Sequence, residues 1–475
     1  MVWGKWFVIA FLLFIPTDHF SLSEHLAEIV AQGNATTKEL NLAQQYNPSA
    51  YHRYRFQNAK KGSTDWLNAA ARLAQHSAQH AIALGQFFHK QNDPILADKW
   101  YFQALRFENL DTVGKEALVH YLYDLERYEQ IAQIISSSEQ STILLDYLIN
   151  AYLALGDIKP ISTLLRSRKQ TPWYHEKMAL LNKYHVFKPQ LDEIKSCDTS
   201  IQLFATNLED LKRAEQLIKL VEQRAVSRYF CFKQVKYIAL STLNCQLDAS
   251  KAIQCDEHIW KDNVQGVSAR YIGVLLPEGG ANVHEGIFYI DRRDSVDVFA
   301  HEIWHLLGFV DEYPLPSGHV DCQKSQLAAI APNIVVTPTV LFEDRRAARE
   351  KLLEVVPWAD KIEPSTPILT QAGNMWQIGT PFSHENEIGL FPANTCDKTA
   401  LHAFKPVGYF TSLEYQEMPA PPLYHQLATT NLSDFIHPSF HFNIALASER
   451  RGYSDLAREW LMKTQFGLSI NHSQQ

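Results

Sequence analysis

The sequence predicts a multidomain chain: an all-α region of helical hairpins followed by an α/β region built around one histidine-bearing helix. Three observations predict this. Up to residue 188, small and apolar residues recur at helical spacing between short turn signals such as Leu155-Gly156-Asp157. After residue 189 the pattern switches to short apolar runs interleaved with a single amphipathic helix. Inside that second region, residues 301–311 read His-Glu-Ile-Trp-His-Leu-Leu-Gly-Phe-Val-Asp.

The N-terminal residues read as a targeting segment. Lys5 precedes an apolar run from Phe7 to Ile15 that Pro16 ends. Nine apolar residues suit a signal-peptide core and fall short of the roughly 20 that span a bilayer. Ser21 and Ser23 offer a small-x-small cleavage option before Glu24, which sets the first boundary at residues 1–23. The alternative is an uncleaved membrane anchor. No cysteine precedes Cys197, so a lipoprotein anchor is excluded.

Residues 24–188 read as stacked helical hairpins. Leu84, Gly85, Phe88, Ala97, Tyr101 and Ala104 alternate small and large residues as two interlocking antiparallel helices require, and this spacing resembles the tetratricopeptide repeat. Shifted copies follow around Leu118–Ile135 and Leu148–Leu165. A last one lies in residues 429–475, where Ala445, Gly452, Ala457 and Leu461 keep similar offsets. Such repeats stack to present a concave surface, so a protein partner on the helices is expected; the alternative is a helical domain that only packs on the rest.

Residues 189–428 form the α/β region. Ile201–Thr206 reads as a strand, Leu208–Arg224 as an amphipathic helix and Tyr229–Leu240 as a second strand. Tyr271–Leu276 is a further strand, ended by Pro277-Glu278-Gly279-Gly280. Val283–Ile290 is expected as an edge strand directly before the histidine helix. An edge strand has unpaired backbone groups to which an extended peptide can add.

The helix that follows carries the chemistry. Asp294 or Ser295 can cap it, Asp297 complements its dipole, and Gly308 can end it. His301 and His305 lie one turn apart on one face, where two imidazoles can grip one zinc ion. Glu302 beside them can polarise water, and Asp311 brings a carboxylate after the Gly308 turn. Three protein ligands and an open fourth position make a catalytic rather than a structural site. The bland reading is a buried helix with hydrogen-bonded histidines, which leaves Glu302 between them unexplained.

The motif resembles the metzincin clan of zinc peptidases, whose signature is HExxHxxGxxH or HExxHxxGxxD. Asp311-Glu312-Tyr313 looks more narrowly like the IgA-peptidase-like metallopeptidases. Val356-Pro357-Trp358, Ile388-Gly389-Leu390-Phe391 and Phe404-Lys405-Pro406 also fit that family, over roughly residues 190–425. The resemblance implies a zincin-like α/β catalytic domain, one Zn2+ per chain on His301, His305 and Asp311, and Glu302 as general base. In that family the acid stands seven residues after the second histidine, whereas Asp311 stands six after His305, so Glu312 is the alternative ligand. A methionine turn should lie beneath the metal. Met375, Met418 and a turn Thr411–Tyr415 with Leu413 in the methionine's place are the candidates. Tyr313 and Tyr415 compete for stabilising the oxyanion. His319 is a ligand only in a different frame, and His284 sits on the expected edge strand.

Six cysteines, all between 197 and 396 and none in a CxxC pair, favour disulfides and export. Proximity favours Cys245–Cys255; Cys322 and Cys396 flank the site and can staple it, leaving Cys197–Cys231, with free buried thiols as the alternative. A formal charge of −8 without basic runs argues against nucleic acid as a partner. The expected function is an exported, periplasmic or secreted zinc metallopeptidase acting on a protein or peptide. Membrane attachment is expected only if the N-terminal segment stays uncleaved. Two other classes remain open: a repeat-type binding module with an inactive catalytic domain, and a zinc hydrolase of a non-peptide amide such as a cell-wall linkage.

Overall fold

The computed structural model describes residues 17–187, 197–430 and 432–466. The apolar run Phe7–Ile15 and the boundary expected between residues 188 and 189 lie outside them. The cleavage option before Glu24 falls inside the helix Thr17–Ala31. Among the described residues eleven helices, from Thr17–Ala31 to Pro172–Lys183, precede a mixed α/β region with several sheets. The chain divides into two compact units, residues 1–151 and 152–475.

In the first unit the helix starts are written locally. Asn47 and Asp93 each accept a backbone N–H three residues on, and a proline follows each as the first helical residue. Proline fits there because its missing N–H would have no partner in a helix's first turn. Helices Ala78–Lys90 and Pro94–Ala104 interlock where the small–large alternation expected it. A Cβ on Gly85 would lie 2.8 Å from the Tyr101 ring, so only glycine admits the tyrosine there. Leu84, Ala97, Tyr101 and Ala104 are all buried around that contact.

The second unit centres on a six-stranded sheet. Its main path runs Cys231–Phe232, Ser200–Ala205, Tyr271–Leu276, Ile287–Asp291, Asn282–His284, and Lys236–Tyr237 also pairs with Ser200–Ala205. All pairings are parallel except the last, where the edge strand Asn282–His284 runs antiparallel. Every residue of Ser200–Ala205, Tyr271–Leu276 and Ile287–Asp291 is buried, as a parallel sheet covered on both faces requires.

Two expectations need correction. Tyr229–Leu240 is not one strand: Cys231–Phe232 and Lys236–Tyr237 pair separately with Ser200–Ala205. Between them the Gln202 side chain donates to the Gln234 carbonyl, replacing a ladder bond with a side-chain bond. Val283–Ile290 is likewise not one edge strand but a hairpin, turning at Glu285 and Gly286, both with positive φ. Its first arm is the edge, and its second is an interior strand.

One face of the sheet carries helices Leu208–Val221 and Val296–Leu306. Phe288 stacks on Phe299 with ring centroids 5.4 Å apart. Arg213 of the first helix donates to the Asp294 carbonyl at 2.9 Å, and Arg224, just past that helix, pairs with Asp297 at 2.5 Å, so both hold the start of the second helix. The other face packs Ile272, Val274, Leu276 and Tyr289 with Trp260, and with Phe440, Ile444 and Trp460 from the C-terminal hairpin. That hairpin, Phe440–Arg450 and Ser454–Phe466, is therefore part of this core.

Downstream lie a four-stranded antiparallel sheet and a three-stranded one. All six cysteines are paired, as Cys197–Cys231, Cys245–Cys255 and Cys322–Cys396, the pairing expected from sequence. Three disulfides fit an exported protein. Among the described residues no helix is long and apolar enough to cross a membrane.

Candidate metal centre

The helix Val296–Leu306 delivers the site. Ser295 is its N-cap, accepting from the amides of Asp297 and Val298, while Asp294 instead accepts the Asp291 amide at 2.6 Å. Gly308 stops the helix at φ +84°. A Cβ there would lie 2.1 Å from the Phe435 carbonyl oxygen, so both the turn and the close approach need glycine. The chain then returns beneath the helix and brings Asp311 back to the histidines.

Three atoms converge. Asp311 Oδ1 lies 3.0 Å from His301 Nε2 and 3.2 Å from His305 Nε2, and the two nitrogens are 3.1 Å apart. The other ring nitrogen of each histidine is already committed. His301 Nδ1 donates to the Ser412 carbonyl at 2.8 Å, and His305 Nδ1 to the Phe309 carbonyl at 2.8 Å. A carbonyl can only accept, so in both neutral rings the proton sits on Nδ1 and Nε2 presents a lone pair. Two imidazole lone pairs and a carboxylate oxygen at such distances repel unless a positive charge lies among them. Burial opposes the charged form of His305, but the charge of Asp311 outweighs burial and pushes its pKa up to about 9, the protonated ring carrying such a charge. Burial likewise opposes ionisation of Asp311, and His305 and His301 overcome it, holding that carboxyl well below its usual range. A divalent cation can take the proton's place, and the N,N,O donor set suits one of borderline softness.

Glu302 completes the cluster, its carboxylate within 4.8 Å of the histidine nitrogens. It is buried, and one carboxylate oxygen has no hydrogen-bond partner among the described residues. Burial is the main cause that pushes its pKa up to about 7; the neighbouring histidines lower it and Asp311 raises it. A carboxylate with that pKa, facing lone-pair donors, can exchange a proton near neutral pH.

Asp311 therefore stands beside both histidines, and Glu312 points away. The Glu312 carboxylate accepts from Asn333 Nδ2, Tyr424 Oη, Lys405 Nζ and Thr411 Oγ1 and is fully buried. The turn that reaches His301, through the Ser412 carbonyl, is Thr411–Tyr415: the Glu414 and Tyr415 amides both donate to the Thr411 carbonyl, and Leu413 is buried at its centre. Met375 lies on a strand of the three-stranded sheet, and Met418 is partly exposed. The Tyr313 ring lies nearly parallel to that of His301 at 6.3 Å, and burial followed by the charge of Asp311 raises its phenol. The Tyr415 ring is half exposed and packs edge-on against Phe410. His319 pairs through Nδ1 with Asp321 at 3.5 Å, and His284 is exposed on the edge strand.

Beside His301 opens a cavity of about 350 Å³, bordered by Arg224, Val226, Ala300, Trp304, Met418 and His425. The structure brings together the two histidines, Glu302 and Asp311 that the motif singled out. Motif reading missed the Ser412 and Phe309 carbonyls that set both tautomers, because a backbone acceptor leaves no trace in sequence. No protein-family model matches the chain, and no curated protein is significantly similar to it.

Proposed function

We propose that this protein is an exported zinc-dependent metallopeptidase. The observation that carries the reading is the convergence of His301 Nε2, His305 Nε2 and Asp311 Oδ1, three lone-pair atoms within 3.2 Å of one another, with the buried acid Glu302 beside them. The donor set is that of a three-ligand zinc site with a fourth position open to solvent or substrate. The order strand, helix, strands, antiparallel edge strand, interior strand and histidine helix is compatible with the zincin-like arrangement that the metzincin resemblance implies. The bound ion would supply Lewis-acid activation of water and of the scissile carbonyl.

The residues then divide the work. His301, His305 and Asp311 would hold the ion, the histidines oriented by their Nδ1–H bonds. Glu302 takes the proton from the attacking water and gives it to the departing amine nitrogen as the C–N bond breaks. Tyr313, beside His301, donates to the oxygen that gains negative charge. The cavity next to His301 receives a substrate side chain.

The test uses the full-length protein. Metal analysis should find one zinc per chain, and a casein or peptide-library digest should show cleavage. Glu302→Gln should keep the zinc and lose ~10²–10⁴-fold in hydrolysis. A zinc-free protein, or a Glu302→Gln variant within a few-fold of wild type, would refute the proposal.

A further inference from the structure

We infer that Glu312 and Lys405 are positioning residues: a buried ion pair that fixes the ligands of the metal centre without touching the metal. The inference rests on the metallopeptidase reading above. It joins two sequence elements that the mechanism leaves unused, the acid of Asp311-Glu312-Tyr313 and the base of Phe404-Lys405-Pro406.

Lys405 Nζ lies 2.9 Å from Glu312 Oε2, both residues being buried. Thr411 Oγ1 donates to the same oxygen at 2.8 Å; Asn333 Nδ2, at 3.1 Å, and the Tyr424 phenol donate to Oε1. Four donors saturate a carboxylate, so Glu312 has no lone pair left for a metal. Lys405 spends its other donors on Glu414, at 2.7 Å, and on the Tyr409 carbonyl, at 3.1 Å. Burial opposes a charge on this lysine, and Glu312 and Glu414 overcome it, holding its pKa above the ordinary value.

A buried ion pair is seldom the most stable way to fill such a volume, and its best-attested use is to fix register. Here it fixes two ligands at once. The Glu312 backbone is pinned on both sides, its amide donating to the Leu413 carbonyl at 2.9 Å and its carbonyl accepting from Asn394 at 3.0 Å, which places Asp311 one residue before it. Through Thr411 and Lys405 the same carboxylate holds the turn whose Ser412 carbonyl orients His301. Loosening Glu312 frees the third ligand and the tautomer lock of the first together. Groups that orient metal ligands in this way typically change metal affinity by ~10–100-fold when altered.

The experiment is Glu312→Gln in the full-length protein; Gln keeps the volume, and Lys405 keeps Glu414 as its partner. Zinc affinity by chelator competition should fall ~10–100-fold, and the visible bands of the cobalt-substituted protein should shift. Excess zinc should restore most of kcat with KM unchanged. Trp460→Ala, a destabilising change on the opposite face of the sheet, serves as the control for a purely structural loss and should leave the cobalt spectrum as in wild type. Thr411→Val, which removes one donor to the same carboxylate, is the milder second variant should Glu312→Gln not fold, with a smaller loss of affinity in the same direction. Wild-type affinity and spectrum in the folded variant overturn the positioning role and leave the peptidase reading standing. Failure of the wild-type protein to bind zinc overturns both.

Discussion

Trp460→Ala tests whether the C-terminal hairpin belongs to the α/β unit. Trp460 is 1% exposed and sits in one core with Trp260, Tyr289, Phe440 and Ile444. A buried tryptophan removes about 150–250 Å² from water, worth ~4–6 kcal/mol at ~25 cal/mol per Å². Measured Trp→Ala losses of ~3–5 kcal/mol agree with that, since the cavity partly relaxes. Among the described residues the indole N–H has no hydrogen-bond partner, so no hydrogen bond is lost, and Trp460→Phe should cost much less. The assay is urea unfolding followed by circular dichroism, with the expected loss appearing in the main transition of the α/β unit. The end of the histidine helix is held separately, by the segment before the hairpin. There the His437 amide donates to the Leu306 carbonyl at 3.1 Å, and the His437 carbonyl accepts from Arg270 and Tyr271, gripping the end of the histidine helix. A loss below about 1 kcal/mol, or an early minor transition that leaves the main one in place, would mean the hairpin is an appendage and would refute this reasoning.

Two further predictions concern the site and its helix. Asp311→Ala should abolish stoichiometric zinc binding as His301→Ala and His305→Ala do, measured by metal analysis after dialysis; full zinc retention would remove Asp311 from the ligand set. Burial, aided by the charge of Asp291, raises the Asp294 pKa to about 6 against an ordinary 3.8, while an amide bond from the Asp291 backbone acts the other way. The fold thus holds this proton more tightly than the unfolded chain does. Its contribution is full below about pH 4 and is lost as pH rises through about 6. Asp294→Asn should flatten the fall in unfolding midpoint between those values, and an unchanged pH profile would count against it.

Several features were legible in sequence because they are local. Ser200–Ala205 and Tyr271–Leu276 are apolar runs buried on both faces, and the Gly85–Tyr101 contact follows from small residues set against large ones at helical offsets. The strand readings that failed broke in two ways, one through a group distant in sequence and one through a local turn. Gln202, on the neighbouring strand, takes the Gln234 carbonyl where the expected strand is interrupted, and Glu285 and Gly286 fold another expected strand into a hairpin.

The sequence by itself determined the helix, the one-turn spacing of His301 and His305, and the glycine that ends the helix, because each depends on residues within a few positions. It left two adjacent acids, Asp311 and Glu312, as rival ligands, since composition and spacing treat them alike. Only the tertiary structure separates them. Asn333, Lys405, Thr411 and Tyr424 come from distant parts of the chain to saturate Glu312, while Asp311 faces the histidines. The direction in which a carboxylate points is decided by the donors that fold around it, and those donors lie 21 to 112 residues away along the chain.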